Sequence, residues 1–537
     1  LISPVRGRRF LSLRKGWAGV ACVAGLLLLG DTWASEDEGT AGVNSLREAA
    51  QLYEAGQYFK SARYAYAAME QDSRLKPDAY AWMTLGLMHA GLPNAASYFF
   101  IRTLQTGQKA AIRSVLTQTQ DLLVEVGADI LRKYLIRHTR YEDYNAANLS
   151  AYLYALGKDA ILLDDPTRAI GYLNGMREDS PLWSFGLQLR GTAHALIDQN
   201  EAALADFRKC TSMAKRSESY RASYRGTDPR RIRQAEQESE DLMSRCLAGE
   251  ARVLYQMNRF AEADRVYDRI PRRSYVWTDI LFEQAWSAFA QEEWNRSLGK
   301  LVSYKSPALS FIFNPEIEVL QAQSYLALCL YADVNDVLAS FQSRYTAAGV
   351  EIKEFVEARS QQVPAFYSFG KDVLKSSLYS SREVQRLANR FIRGPYFQNL
   401  VATEARLSTE TAAIRRFDSL PGISRSLGGG FPGFLDQVLR WRLKTVQFLG
   451  GAFVKNSLLD YHAALIDDYE KMSFIKLDLL KRSKDQLLPK KSRVEDRSRG
   501  GREPSRRDDQ YYWSFNGEFW EDELGGYVFG LESECKG

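Results

Sequence analysis

The sequence predicts an all-α fold: an α-solenoid of helical hairpins, followed by a long-helix C-terminal region and a small aromatic tail. Three observations predict it. One spacing of small and aromatic residues recurs along residues 43–345. Apolar residues keep a helical period after that spacing fades. The last stretch crowds seven aromatics between Tyr511 and Tyr527.

The recurring unit is clearest in the middle of the chain. Counting from Ala251, the landmarks are Phe260, Ala263, Tyr267 and Ile270; equal offsets from Ala285 give Trp294, Ser297, Leu301 and Tyr304, and from Ala322 give Tyr331, Val334, Leu338 and Phe341. The step from Ala251 to Ala285 is 34, and that from Ala285 to Ala322 is 37. Small residues are needed where two helices touch, and a period of 34 with small residues at two points is the signature of the tetratricopeptide repeat (TPR). The offsets return upstream, in Gly157 with Ala169, Leu173 and Met176, and after the same step of 34 in Gly191 with Ala203, Phe207 and Cys210. Ala49, Ser61, Ala65 and Ala68 form a degenerate unit with Gly56 at its turn. Trp82-x-x-Leu85-Gly86 opens another, whose turn, Gly91 to Ala96, reads as two residues short. About seven units are expected, with off-register helices at 105–148 and a polar insertion at 211–243 broken by Gly226 and Pro229.

Residues 350–488 form the C-terminal helical region. Helices are expected at 351–369, 381–392 and 403–417, parted at Gly370 and at Gly394-Pro395. A long helix spans 434–488, interrupted at Gly450-Gly451, with apolar residues at Leu465, Tyr469, Met472, Ile475, Leu477, Leu479 and Leu480. Residues 489–509 are charged, with Val494 their one aliphatic side chain, and read as a linker. So many aromatics in 510–537 require a surface to dock on.

Residues 1–34 read as a signal peptide: Arg6, Arg8, Arg9, Arg14 and Lys15 precede the apolar run Trp17 to Leu29, and cleavage is expected after Ala34. The alternative is an uncleaved anchor. The leading Leu1 is read as an alternative start codon, which points to a bacterial source and a periplasmic destination. Five of the basic charges lie in this segment against Asp31, so the chain's net charge of +5 leaves a near-neutral body and no electrostatic case for nucleic acid. Four cysteines follow, Cys210, Cys246, Cys329 and Cys535. They allow three pairings in an oxidising compartment, or four inert thiols. The expected pairing is Cys329 with Cys535, joining a hairpin turn to the tail, and Cys210 with Cys246 across the insertion.

Catalytic chemistry finds no residues to carry it. His89, His138, His194 and His462 stand in no metal or triad spacing, and no phosphate loop, nucleophile elbow or dinucleotide motif occurs. No cofactor, metal or catalytic residue is expected. The candidate binding residues lie on the first helix of each hairpin, at offsets −3, +1 and +4 from the small landmark. These are Ala248, Arg252 and Tyr255; Phe282, Trp286 and Phe289; Val319, Gln323 and Leu326. Such an apolar groove either binds a partner's helix or strand or is filled by this chain's own C-terminal region, and self-occupation is the expectation.

The run Gln284-Ala285-Trp286-x-x-Phe289, Trp294, Leu298-Gly299, Ser306-Pro307, Pro315-Glu316, Leu320-x-Ala322 and Cys329-x-Tyr331 resembles secreted TPR proteins associated with adventurous gliding motility in predatory and social bacteria. The tail Phe515-x-Gly517-Glu518-x-Trp520-x-Asp522-Glu523-Leu524-x-x-Tyr527 with Cys535 is similar to the C-terminal end of that group. The resemblance covers roughly 240–345 and 430–537. It implies an envelope-localised assembly factor without enzymatic activity; no lipobox is present, so outer-membrane association rests on partners or an uncleaved signal. The other readings are a helper of outer-membrane protein or polysaccharide export, and an envelope hydrolase with its site in 350–490.

Overall fold

The computed structural model describes residues 36–224, 229–309, 311–376, 380, 382–419, 427–482, 513–515 and 517–535. The expected signal peptide, the linker at 489–509 and residues 510–512 lie outside them. The described chain is all-helical apart from one two-residue parallel strand pair, and it divides into two compact units. One comprises residues up to Gln199 with Val401–Val446; the other comprises Asn200–Leu400 with the chain from Gln447 onward.

The first unit contains α1 (Glu36–Glu54), α2 (Tyr58–Gln71), α3 (Lys76–His89), α4 (Pro93–Thr106), the short helices α5 (Lys109–Leu116), α6 (Thr119–Glu125) and α7 (Ala128–His138), then α8 (Leu149–Leu162), α9 (Pro166–Asn174) and α10 (Trp183–Leu196). The second contains α11 (Asn200–Tyr224), α12 (Pro229–Gln256), α13 (Phe260–Tyr267), α14 (Trp277–Ala290), α15 (Trp294–Val302), α16 (Glu316–Ala327), α17 (Tyr331–Glu357), α18 (Val363–Lys375) and α19 (Glu383–Ile392). Two further helices, α20 (Pro395–Asp418) and α21 (Phe431–Arg482), contribute residues to both.

Among the described residues one turn recurs seven times. Gly56, Gly91, Asp164, Asp198, Asn258, Glu292 and Cys329 all take left-handed backbone, with φ between 58° and 77°. In each case the next residue donates its N–H to the carbonyl five positions back (Gln57 to Leu52, Leu92 to Leu87, Asp165 to Ala160, Gln199 to His194, Arg259 to Leu254, Glu293 to Ala288, Leu330 to Tyr325) at 2.8–3.0 Å. This bond satisfies a carbonyl that the helix end would leave orphaned. The following residue then starts the second helix: Tyr58, Pro93, Pro166, Asn200, Phe260, Trp294 and Tyr331.

Small buried residues flank every turn at fixed distances. Seven positions before the left-handed residue stand Ala49, Thr84, Gly157, Gly191, Ala251, Ala285 and Ala322; five after it stand Ser61, Ala96, Ala169, Ala203, Ala263, Ser297 and Val334, all seven fully buried. The α3–α4 hairpin is therefore not two residues short. Its landmark is Thr84, whose hydroxyl bonds the Tyr80 carbonyl at 2.8 Å, and not Gly86. Gly86 is small for another reason: a Cβ there would stand 2.7 Å from the Tyr58 carbonyl oxygen, so it permits α3 to lie close to α2.

The structure corrects two further expectations and details a third. The polar insertion at 211–243 is helical on either side of its break, because α11 and α12 both continue into it and only 225–228 fall outside the described residues. Pro229 is the first residue of α12, a position where its missing N–H costs nothing. From Cys210 to Tyr224 the extension adds about 21 Å of helix at 1.5 Å per residue, and the Cys210–Cys246 disulfide ties its base. Gly370 does not end a helix. The break comes earlier, between Glu357 and Val363, and Gly370 sits inside α18, where a Cβ would meet the Phe397 ring at 2.5 Å. Likewise α21 passes through Gly450 and Gly451 without interruption; side chains there would strike Tyr367 at 2.4 Å and the Val363 carbonyl oxygen at 2.0 Å.

In the first unit, the returning stretch 401–446 packs on the early hairpins. Phe431 lies against Phe59 and Tyr66, and Phe434 against Tyr66, Tyr98 and Phe99. Leu92 offers no side-chain cap to α4, so the buried Glu410 carboxylate takes the N–H groups of Asn94 and Ala95 at 3.0 Å each. Burial still raises the Glu410 carboxyl above its ordinary range, against those hydrogen bonds. Beside it the buried Arg442 donates to Asn94 Oδ1 and the Val126 carbonyl, both at 3.2 Å. Desolvation, with Arg406 nearby, pushes the Arg442 guanidinium down to about 10.

Candidate functional site

The first-helix residues of the three central hairpins fall on α12, α14 and α16, and burial separates the three offsets. At −3, Ala248, Phe282 and Val319 are all buried. At +1, Arg252, Trp286 and Gln323 are all half-buried. At +4, Tyr255 and Phe289 are half-buried, whereas Leu326 is sealed in the core. Helical geometry gives the reason. At about 100° per residue the +1 position stands furthest from the landmark that faces the neighbouring helix. The −3 and +4 positions stand only about 60° and 40° from it. The candidate surface is thus Arg252, Tyr255, Trp286, Phe289 and Gln323; Phe282, Val319 and Leu326 belong to the core beneath.

Rings dominate the middle of that surface. Phe282, Trp286, Phe289 and Trp294 follow one another edge to face, with centroid separations of 6.4, 5.6 and 4.7 Å. Trp286 and Phe289 rest on a core of Phe282, Ala285, Leu301 and Leu320. On α12, Arg252 pairs with Glu283 at 2.6 Å, and the Tyr267 hydroxyl donates to the other Glu283 oxygen at 2.8 Å. Burial would lower the Arg252 guanidinium, but the Glu283 carboxylate outweighs it and holds it above its ordinary value. The phenol of Tyr267 is raised, first by burial and then by Glu283. On α16, the carboxamide oxygen of Gln323 is buried and accepts no hydrogen bond.

The tail docks on its own chain, but not along this row. Asn295 on α15 bonds the tail backbone three times: its carbonyl accepts from Phe529 N–H at 3.1 Å, and its side chain exchanges two bonds of 3.0 Å with Leu531. Ser303 Oγ accepts from Gly525 N–H at 2.8 Å, and Arg272 donates to the Asp522 carbonyl at 2.9 Å. A Cβ at Gly299 would stand 1.9 Å from the Tyr527 carbonyl oxygen, so glycine alone lets the strand lie on α15. That strand, Tyr527–Val528, pairs in parallel with Trp513–Ser514. Phe515, Phe519, Tyr527 and Phe529 pack on one another with centroids 5.2–6.0 Å apart. The Cys329–Cys535 disulfide, with Glu534 N–H on the Leu328 carbonyl at 2.9 Å, fastens the end of the tail to the α16–α17 turn. The tail takes the second-helix side, while the C-terminal helices reach the first helices of these hairpins: Lys471 of α21 pairs with Glu316 of α16 at 3.0 Å, and Arg390 of α19 with Asp279 of α14 at 3.3 Å. Asn295, Gly299 and Ser303 carry no composition signal that would have marked them as the tail's seat.

Both disulfides join the cysteines that the sequence reading paired, and two disulfides place the chain in an oxidising compartment. His89 sits among Tyr53, Tyr58 and the Leu85 carbonyl, and His194 bonds Gln199 at 2.7 Å. Among the described residues no group of His, Cys, Asp and Glu side chains is placed to hold a metal ion, and no helix is long and apolar enough to cross a membrane. Comparison with protein-family models and with curated proteins finds no match to this chain.

Proposed function

We propose that the chain is a non-enzymatic protein-interaction scaffold of the TPR type, exported to the bacterial periplasm, where it serves as an assembly factor of a cell-envelope machine such as that of gliding motility. Seven like hairpin turns with small buried residues at fixed distances on either side support the TPR assignment. The two disulfides support an exported location. The observation that carries the binding role is the row at +1 and +4. Arg252, Tyr255, Trp286, Phe289 and Gln323 stay half-buried while their neighbours are sealed, and the tail that could have covered them lies elsewhere. Aromatic rings at a half-buried surface suit an extended or helical peptide segment whose side chains would cover Trp286 and Phe289.

A photoreactive residue placed at Trp286 or Gln323 should give one discrete protein adduct in cells, and the same probe at the exposed Ser340 of α17 should give none. Equal labelling from all three positions, or none, ends the groove reading. Turnover of peptidoglycan by the purified protein would end the scaffold reading in favour of a hydrolase, and an adduct with an outer-membrane protein or polysaccharide export component would direct it to export.

A further inference from the structure

The second-unit part of α21 buries one face, with Val454, Leu458, Leu465, Met472, Ile475 and Leu479 turned to its own chain. Another face does the opposite. Phe448, Leu459, Ile466 and Leu477 are 41%, 44%, 58% and 63% exposed. At about 100° per residue these four lie within about 20° of one line, a stripe about 44 Å long. A row of large apolar side chains on a charged helix is costly to leave in water and needs a partner.

The order of residues along the stripe identifies that partner. Read from both ends toward a centre between His462 and Ala463, Phe448 matches Leu477 and Leu459 matches Ile466. Between them, the small residues Ala452 and Ser473 match, and Lys455 matches Glu470. A stripe that is complementary to its own reversal fits an isologous two-fold interface, in which each contact is made twice. We infer that two copies of this chain pair through α21, antiparallel, with the two-fold axis beside His462 and Ala463. Large apolar residues then meet large apolar residues, the small pair lets the helices approach, and each Lys455 faces a Glu470. Lys455 already donates to the Ser360 carbonyl at 2.9 Å, which holds its ammonium in place and leaves two donors for the carboxylate. A parallel pairing would instead oppose Lys455 to Lys455 and Glu470 to Glu470. A strip about 44 Å by 10 Å buries on the order of 900 Å² in total, the size of a weak, concentration-dependent association.

The test uses the full chain in a Cys22→Ser background, with its native disulfides intact. Sedimentation should show monomer at low micromolar concentration and dimer at hundreds of micromolar. Leu459→Asp should raise the dimer dissociation constant at least tenfold. Glu470→Lys should weaken the dimer, and adding Lys455→Glu should restore it. Orientation is read by a short bismaleimide: Ala463→Cys should crosslink to its own copy, and Phe448→Cys should not, whereas a mixture of Phe448→Cys and Leu477→Cys chains should. A protein that stays monomeric at the highest concentration overturns the inference, as does self-crosslinking at Phe448→Cys or a Leu459→Asp variant that dimerises undiminished.

Discussion

At Gly299 a single methyl group decides whether the tail can dock, because the atoms it would meet are the Tyr527 carbonyl and the Val528 Cα at 1.9–2.7 Å. These are backbone atoms with no rotamer to escape into. Gly299→Ala should therefore lift the tail and leave α15 helical, at a cost of about 1–3 kcal/mol. Hydrogen exchange should accelerate across 513–535 and not in α14. Unchanged protection there would show that the strand does not lie where its hydrogen bonds to Asn295 put it. Asp264 offers a pH prediction. One of its oxygens is buried without a partner, and burial raises its carboxyl above the ordinary value, with Lys300 working against the rise. A folded-state value above the unfolded one means the native protein binds more protons between the two, so stability falls as pH rises through that window and the penalty is complete above it. Asp264→Asn should then stabilise the protein at neutral pH by about 1 kcal/mol, and the gain should shrink as pH is lowered through the raised value. An equal gain at pH 4 and pH 7.5 in denaturant titrations would assign the effect to something other than ionisation. Roles of this kind are hard to read from sequence. Glycine looks the same whether it ends a helix or admits a neighbour, and so Gly370 and Gly450-Gly451 read as breaks.

At the scale of elements, the helices and their turns were legible because both obey fixed periods. The small landmark, the left-handed residue seven later and the aromatic, proline or asparagine two beyond it recur whether the left-handed residue is Gly, Asp, Asn, Glu or Cys. Composition marked the insertion at 211–243 but not its helices. Residues 211–224 and 229–243 are charged yet helical, since Glu, Lys, Arg, Ala and Ser tolerate a helix and Pro229 stands at the first position of α12. The long helix α21 tests the two meanings of glycine within one element. A Cβ on Gly451 would stand 2.0 Å from the Val363 carbonyl oxygen, whereas a Cβ on Gly433 would meet nothing within 4 Å. Gly451→Ala should destabilise by about 1–3 kcal/mol through overpacking. Gly433→Ala should stabilise by up to about 1 kcal/mol through helix propensity. Chemical denaturation of the two variants should move the midpoint in opposite directions; a common direction would mean that propensity, not packing, governs both sites.

For the whole molecule, the division into two units was not legible, because it depends on residues 401–446 returning to the first hairpins through side chains that no spacing marks. Glu410 on the start of α4 and Arg442 on Asn94 are examples, standing 316 and 348 positions along the chain from the Asn94 they share. The division has a consequence for stability. All four cysteines of the two disulfides, at 210, 246, 329 and 535, lie in the second unit, and neither cross-link enters the first. The bridges span 36 and 206 residues of sequence. In the chain-entropy account they restrict the unfolded state by about 4 and about 5 kcal/mol, values that residual structure in the unfolded chain would reduce. Reduction should therefore weaken one unit and spare the other. Hydrogen exchange under increasing denaturant should show, with reductant, earlier opening of α12 to α17 and an unshifted midpoint for α1 to α4. The double variant Cys329→Ser, Cys535→Ser should act first on the tail, since Asn295 and Ser303 would then hold it without covalent help, while Cys210→Ser with Cys246→Ser should act on α11 and α12. If reductant shifts α1 to α4 by as much as α12 to α17, the two units unfold as one and the stabilisation is shared along the entire chain.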